Sequence, residues 1–351
     1  MNDVLPQLDK WTERGDKIAL ATVVDFTRSA PRPPGSKMAV NGDGEIIGGV
    51  SGGCVEGAVV EIADSVLSGE PPRLVHFGIA DDEAWAVGLP CGGEIDVWVQ
   101  EYQPGRFSEI AAVGGRAAEV TLMEGEGAGA KLLLEADGAR RGSLGSPELD
   151  GEAVRLASEA LWSEVSERHE ALFVDVVAPP PRVILFGAVD IAAALCKLAR
   201  AAGWRPYVVD PRARFATPER FPDAEEVIAA WPEEAFARLG GIDPATSIAV
   251  LTHDPKLDDA ALTIALRSPA RYIGAMGSRR AQAKRRERLL AQGLADEDLA
   301  RMSAPVGLDL GATNREETAL SILAEVVAAR HGREGGRLAN VRGSIHSAAP
   351  A

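Results

Sequence analysis

Two cysteines in the first half of this sequence each stand next to a pair of glycines. One ends the run Gly52-Gly53-Cys54 and the other opens the run Cys91-Gly92-Gly93. Glycines let the backbone approach a ligand closely, and a helix beginning near Cys54 would place amide groups and a positive dipole end beside the thiol, which favours the thiolate. Thiolate sulfur can ligate a metal or shield a sulfur species. We therefore expect Cys54 and Cys91 to be the chemical centre; the alternative is that both only pack near tight turns.

A proline-stiffened loop upstream of Cys54 concentrates positive charge. It carries Arg28, Arg32 and Lys37 together with hydroxyl side chains. The chain as a whole has 37 Lys and Arg against 52 Asp and Glu, a formal net charge of -15. Because arginine and lysine bind phosphate and other anions, we predict an anion site in this loop. The alternative is an ordinary solvated surface.

The second half of the chain has the rhythm of a parallel sheet. Three successive prolines, Pro179-Pro180-Pro181, cannot continue a helix or lie inside a sheet, so they predict a domain boundary. Residues 183–210 follow as an apolar run, an amphipathic helix and a second apolar run, which is a βαβ unit. Strand-like and helix-like segments then alternate to about residue 292. We predict a Rossmann-like doubly wound parallel sheet.

This half also contains a candidate nucleotide site. Its glycine turn reads Gly187-Ala188-Val189-Asp190, with valine at the second glycine of the dinucleotide fingerprint and an acid after it, and both changes oppose pyrophosphate binding. Asp210 stands where a ribose-binding carboxylate is expected. Nucleotide binding is therefore left open for the residues at these strand ends: Gly187, Asp210, Arg212, His253, Ser278 and Arg279. No C-x-x-C or H-E-x-x-H spacing predicts a metal centre built from protein ligands alone.

The first half repeats itself. A shift of 94 positions superposes five residues of one segment on identical residues of another: Gly35, Lys37, Asp43, Gly44 and Gly48 on Gly129, Lys131, Asp137, Gly138 and Gly142. We interpret this as an internal duplication with halves at about 17–70 and 115–165, each a β-hairpin feeding a helix, and chance similarity is the alternative. The second copy lacks a cysteine at the position of Cys54, so the shared fold does not need the thiol.

Length and composition are consistent with two α/β domains. For 351 residues with 46% hydrophobic composition we predict an N-terminal α/β domain at 1–178, a Rossmann-like domain at 182–332 and a disordered tail at 333–351. Capping-box spacing at Thr313 and Glu316 predicts that a last helix opens there and runs to about His331.

Other bulk features bear on location and partners. The sequence shows neither a secretory signal nor an apolar run of about 18 residues, so we expect a cytoplasmic protein without membrane insertion. Three widely spaced cysteines do not make a disulfide framework, and Cys196, inside an apolar helical pattern, is expected to pack in a core. The negative charge makes nucleic acid an unexpected partner.

A set of short motifs, taken in order along the chain, resembles the XdhC/CoxI family. The motifs are Gly52-Gly53-Cys54-Val55-Glu56, Cys91-Gly92-Gly93, Asp210-Pro211-Arg212, Thr252-His253-Asp254, Gly274-Ala275-Met276-Gly277-Ser278-Arg279 and Gly307-Leu308-Asp309-Leu310-Gly311-Ala312. The resemblance covers about residues 17 to 330. One departure is Val189-Asp190, where the family commonly has a glycine and a histidine.

The resemblance implies an accessory protein that matures molybdenum hydroxylases such as xanthine or carbon monoxide dehydrogenase. Such a protein binds molybdenum cofactor (molybdopterin), assists its sulfuration and delivers it to the apoenzyme, usually as a homodimer, and a sulfur-donating desulfurase is a further expected partner. It implies a cofactor site at Gly52, Gly53, Cys54, Glu56, Cys91, Gly92 and Gly93, with Arg28, Arg32 and Lys37 on the anionic group and both thiols facing the molybdenum. Two alternatives stay open: an NAD(P)-dependent oxidoreductase that uses Asp210 and His253, and a structural subunit of a hydroxylase complex.

Overall fold

A computed structural model describes residues 1, 3–27, 32–78 and 93–340 and divides the chain into two compact units, Met1–Pro179 and Pro180–Ala351. The elements of the first unit are, in chain order, α1 (Leu5–Arg14), β1 (Ile18–Thr27), β2 (Lys37–Asn41), β3 (Ile46–Gly48), α2 (Glu56–Leu67), β4 (Arg73–Phe77), β5 (Glu94–Glu101), α3 (Arg106–Ala112), β6 (Ala117–Leu122), β7 (Lys131–Glu135), β8 (Arg140–Gly142), α4 (Pro147–Ser163), β9 (Glu167–His169) and β10 (Leu172–Val177).

The first unit contains the same sheet twice. Its two five-stranded sheets run in the orders β3-β2-β1-β5-β4 and β8-β7-β6-β10-β9, with every described pair antiparallel. Each repeat is therefore a strand, a hairpin, a helix and two closing strands, which confirms the predicted internal duplication. The repeats extend beyond 17–70 and 115–165, because β4 and β5, and likewise β9 and β10, complete each sheet after its helix.

Each repeat has its own hydrophobic core between one sheet and one helix. In the first, α2 turns Val59, Ala63 and Val66 inward, the spacing of one helical face, onto buried valines of β1 and β5. In the second, the longer α4 buries an equivalent stripe against β6, β7 and β10. The two sheets meet through Trp98 and Phe173, so both repeats belong to one packed unit.

The elements of the second unit are, in chain order, β11 (Arg182–Phe186), α5 (Asp190–Ala201), β12 (Arg205–Val209), β13 (Glu226–Ile228), α6 (Pro232–Arg238), β14 (Thr246–Val250), α7 (Pro255–Leu266), β15 (Tyr272–Ala275), α8 (Arg279–Ala291), α9 (Asp296–Ala300), β16 (Met302–Ser303) and α10 (Arg315–Arg330). All its strands are parallel, in the order β13-β12-β11-β14-β15-β16. Helices cover both faces with separate cores, and the order reverses between β11 and β14. This confirms the predicted Rossmann-like doubly wound sheet.

The start of the last helix differs from the sequence prediction by one residue. Asn314, not Thr313, is the N-cap of α10, and its side chain accepts the amide hydrogen of Glu317 at 2.8 Å. The Glu317 carboxylate accepts the amide of Thr313 at 2.9 Å, so the acid that reaches back from the first turn is Glu317 rather than Glu316.

The described chain ends shortly after α10 and contains no membrane-spanning helix. Beyond α10, residues Leu338–Asn340 form one 3-10 turn, and residues 341–351 lie outside the described ranges. None of the helices in the described ranges has the length and apolar character needed to cross a bilayer.

Candidate functional site

Cys54 lies in a loop, residues 49–55, that joins β3 to α2. The prediction placed the helix start near Cys54, and α2 begins two residues later, at Glu56. Gly52 and Gly53 have φ angles of 82° and 113°, a left-handed backbone that side chains other than glycine rarely adopt. The thiol is half-buried and packs against the first repeat's core, as do Phe26 and Phe77. We call residues 49–55 the Cys54 loop.

The carboxylate of Glu56 organises this loop. It accepts the Ser51 hydroxyl at 2.5 Å and five backbone amides. The amide donors, with distances, are Val50 at 3.2 Å, Ser51 at 2.8 Å, Gly52 at 2.9 Å, Gly53 at 2.8 Å and Val55 at 3.2 Å. Burial alone would raise the pKa of Glu56, but the Ser51 hydroxyl and the amides outweigh it and lower the pKa to about 2.

Ser51, which was not among the site residues predicted from sequence, completes the arrangement. Its hydroxyl oxygen accepts the amides of Cys54 and Val55 at 2.9 and 3.0 Å while donating to Glu56. Every amide from Val50 to Val55 is thus bonded inside the loop. The amides expected to face an anionic ligand are bonded to Glu56 and Ser51 instead.

The second repeat provides an internal comparison. Shifted by 94 positions, Gly48 and Glu56 become Gly142 and Asp150. Both glycines have left-handed φ angles, 80° and 86°, and a Cβ on either would lie 2.2 Å from a backbone oxygen of the neighbouring strand. Asp150 accepts the amide of Leu144 at 2.6 Å, as Glu56 accepts that of Val50.

The two repeats differ in where the helix starts. In the second, Ser146 is the N-cap and α4 begins at Pro147, which corresponds to Gly53 of the first repeat. In the first, α2 begins three residues later, at Glu56. The Cys54 loop is therefore a first helical turn left unwound, and its amides are satisfied by Glu56 and Ser51 rather than by water.

Arg32 is the predicted cation that the structure places beside the Cys54 loop. A Cβ on Gly49 would lie 3.3 Å from Oε1 of Glu56 and 3.6 Å from Nε of Arg32, so both side chains approach this glycine. Arg32 has no ion-pair partner within the described ranges. It also lines a cavity of about 240 Å³ that reaches Gly48, the residue before the loop, and that Asp3, Lys37 and Asp175 line as well.

Lys37 is placed differently. Its ammonium is buried, 3% exposed, and lies 2.5 Å from Oδ2 of Asp175 and 3.3 Å from the hydroxyl of Thr22. Ser166 donates to the other Asp175 oxygen at 3.2 Å. The ammonium is thus engaged in an ion pair between the two sheets of the first unit.

Arg28, Cys91 and Gly92 lie outside the described residues. The chain on either side of them is described: Thr27 pairs with Glu94 in the ladder of β1 and β5, and Gly93 is buried directly before β5. Phe77, at the end of β4, pairs with Ile95. The described residues next to these two segments, Thr27, Phe77 and Glu94, therefore lie at the same end of the first sheet, and Phe26 and Phe77 pack against the same core cluster as Cys54.

The carboxylate of Asp210 binds the glycine turn of the second unit. Asp210 is fully buried and accepts the amide of Ala188 at 2.9 Å, next to Gly187. Arg212 donates to it through Nε at 2.8 Å, a terminal nitrogen at 2.6 Å and its amide at 2.9 Å. Burial raises the pKa of Asp210, but the Arg212 side chain and these amides hold it below its usual value. All four bonds occupy the oxygens that a ribose would need.

The remaining candidates lie at other strand ends of the same sheet. His253 is exposed after β14, and the next residue, Asp254, caps α7. Ser278 is the N-cap of α8, accepting the amide of Ala281 at 3.3 Å, and Arg279 is exposed at the first helical position.

Comparisons with known proteins agree with this architecture. Residues 11–78 match the model of the XdhC and CoxI family, and residues 183–326 match that of the XdhC Rossmann domain. A Bacillus subtilis protein, named as a probable subunit of xanthine dehydrogenase, is 28% identical over 94% of this chain and 98% of its own length. The Escherichia coli molybdenum cofactor insertion chaperone PaoD is 27% identical over 90% of this chain and 84% of its own.

A solved structure shares the whole fold. It is a Bacillus halodurans protein described as a xanthine dehydrogenase, 26% identical, with a TM-score of 0.65 over 97% of this chain and 98% of that one. The two family models divide the chain as its two units do, one matching the Cys54 half and the other the Rossmann half. The chain belongs to the XdhC/CoxI family.

Proposed function

We propose that this protein is a chaperone that binds molybdenum cofactor as its cargo, supports its sulfuration and delivers it to a molybdenum hydroxylase of the xanthine or carbon monoxide dehydrogenase type. The relative PaoD is named as a molybdenum cofactor insertion chaperone, which supports molybdenum cofactor as the cargo of this protein. The observation that carries the proposal is the Cys54 loop, because only the repeat with a cysteine has its first helical turn unwound.

The side chains at this loop suit the two chemically different ends of the cofactor. Cys54 supplies a soft sulfur that can approach molybdenum or its sulfur ligand. Arg32, which has no ion-pair partner in the described part of the chain, supplies a guanidinium for the phosphate. The cavity of about 240 Å³ beside Arg32 offers room next to the loop.

Cys91 and Arg28 complete the proposed site. The described residues Thr27 and Glu94, which lie beside these segments, form a ladder pair next to Phe26, and Phe26 packs against the same core cluster as Cys54. This shared core supports the hypothesis that both thiols face the cargo. Gly92 and Gly93 would then let the backbone come close to it. Lys37 is assigned to the ion pair with Asp175 instead of the cargo.

The proposed partners follow from the same role. A chaperone must meet an apo molybdenum hydroxylase, and one relative is named as part of a xanthine dehydrogenase. We further propose a sulfur-donating desulfurase as a partner, a homodimer as the working form and the cytoplasm as its location. The Rossmann unit supports these complexes.

The oxidoreductase alternative is weaker, for a reason in the second unit. NAD(P) binding would require Asp210 to give up bonds to Arg212 and Ala188, and Val189 stands where the pyrophosphate needs glycine. Catalysis on a substrate is not needed for the proposed role, and stable stoichiometric co-purification with a hydroxylase would favour a structural subunit over a transient chaperone.

Cofactor retention tests the proposal. Anaerobically purified protein is mixed with molybdenum cofactor, unbound ligand is removed and the retained pterin is measured for wild type, Cys54→Ser, Cys91→Ser and Cys196→Ser. We expect loss of retention in the first two variants. Cys196→Ser should retain pterin as wild type does, because that thiol is fully buried in the second unit's core. Absence of retention by wild type would refute cofactor carriage.

A further inference from the structure

We infer that Glu56 is the positioning residue of Cys54: its carboxylate holds the unwound turn in the shape that presents the thiol, and it does not bind the cargo itself. This inference rests on the proposed function for the role of Cys54. It revises the expectation that Glu56 is a cofactor ligand.

Both carboxylate oxygens of Glu56 are fully used. Oε1 accepts the amides of Val50, Ser51 and Gly52, and Oε2 accepts the Ser51 hydroxyl and the amides of Gly53 and Val55. A carboxylate offers about four lone-pair sites, so six donors leave no capacity for a further ligand. A cargo atom could bind Glu56 only by displacing these bonds.

The equivalent carboxylate of the second repeat makes fewer bonds. Asp150, the counterpart of Glu56, accepts only the Leu144 amide and the Ser143 hydroxyl. The helix α4 begins before Asp150, at Pro147, whereas α2 begins at Glu56 itself. Bonding of the first amide is thus common to both repeats. The additional bonds from the amides of Ser51, Gly52, Gly53 and Val55 occur only in the repeat that carries the cysteine. They are the part of the arrangement that needs the longer glutamate.

The negative charge of Glu56 also determines which end of the cargo suits the loop. Amides at an unwound helix start would ordinarily attract an anion, which could be the phosphate of the cargo. Because Glu56 already supplies that negative charge, the loop disfavours a second anion, and the phosphate is directed towards Arg32. The soft end of the cargo is then the end that meets Cys54.

The test measures the position of the thiol directly. The rate of iodoacetamide labelling at Cys54 is followed by peptide mass spectrometry in the full-length protein, for wild type, Glu56→Gln, Glu56→Asp and the matched control Asp150→Asn. Glutamine replaces an acceptor oxygen with a donor, so the loop should open and labelling should accelerate by about tenfold or more. Glu56→Asp, which can still reach the first amides, should be intermediate.

Asp150→Asn removes the equivalent carboxylate from the other repeat and should leave the Cys54 rate at its wild-type value, whatever it does to stability. An unchanged Cys54 rate in Glu56→Gln, or an equal acceleration in Asp150→Asn, would overturn the inference. Pterin retention is measured on the same samples. If wild type retains no pterin but Glu56→Gln still accelerates labelling, the proposed function fails while the positioning role stands.

Discussion

Replacing Lys37 tests whether its charge serves the fold or the cargo. The Lys37 ammonium and the Asp175 carboxylate are 3% and 12% exposed and lie 2.5 Å apart. Lys37→Met therefore leaves a buried carboxylate to which, among the described residues, Ser166 alone donates a hydrogen bond. Breaking a buried pair from one side costs about 3–5 kcal/mol. For a unit of this size, that lowers the melting temperature by on the order of 10 °C.

The duplication supplies the control. Lys131, the counterpart of Lys37, lies 2.7 Å from Glu119, but its side chain is 37% exposed. Loss of such a solvated pair costs at most about 1 kcal/mol, so Lys131→Met should change the melting temperature only slightly. Calorimetry of the two variants gives the comparison, and equal shifts would refute the reasoning.

A double variant separates stability from binding. Lys37→Met with Asp175→Leu replaces the ion pair by apolar side chains, which is often neutral, and should recover most of the lost stability. We expect this variant to retain pterin. Failure to retain it with the fold restored would return Lys37 to the set of cargo ligands.

Four further predictions concern single sites. Gly48→Ala and Gly142→Ala should each lower the free energy of unfolding by at least about 2 kcal/mol, because each Cβ would meet a backbone oxygen in a left-handed turn; urea titrations that resemble wild type would contradict this. Cys196, whose pKa burial raises to about 12, should stay unlabelled in native protein, and its iodoacetamide adduct before unfolding would contradict the placement. The stability that ionised Glu56 confers should be complete above its unfolded pKa near 4.5 and should be lost as the pH falls towards its folded pKa of about 2. The difference in unfolding midpoint between wild type and Glu56→Gln should therefore shrink over that pH interval. A constant difference would contradict this. Asp210→Ala should destabilise the second unit by leaving Arg212 and the Ala188 amide without their acceptor, without creating NADH binding in a fluorescence titration.

The parts of the fold that were predicted from sequence are those with a periodic signal. The parallel sheet follows from apolar runs alternating with helical patterns, and the duplication follows from glycines such as Gly48 and Gly142, whose left-handed backbone makes other residues unfavourable. Each signal can be read from short segments of the sequence. Such segments predict elements and repeats without information on which side chains contact each other in the folded protein.

The partners of charged groups could not be predicted in this way. Lys37 stands in a cationic loop, and its acceptor Asp175 lies 138 positions away, on a strand of the other repeat. In the sequence, Glu56 resembles any acidic residue in the first turn of a helix. Its position after Cys54 does not predict that its carboxylate accepts five backbone amides. Ser51 gave one usable signal, a hydroxyl residue just ahead of a helix, but its bond to the Cys54 amide depends on the unwound turn.

The loops between hairpin and helix have the same length in the two repeats, so one loop could replace the other. Gly48 to Glu56 and Gly142 to Asp150 span the same number of residues between matching strained glycines and carboxylates. A chimera could therefore carry the Cys54 loop, with a glutamate in place of Asp150, in the second repeat without altering either sheet. Such a transplant would place a second thiol in the other repeat, together with the serine and the glutamate that hold its loop.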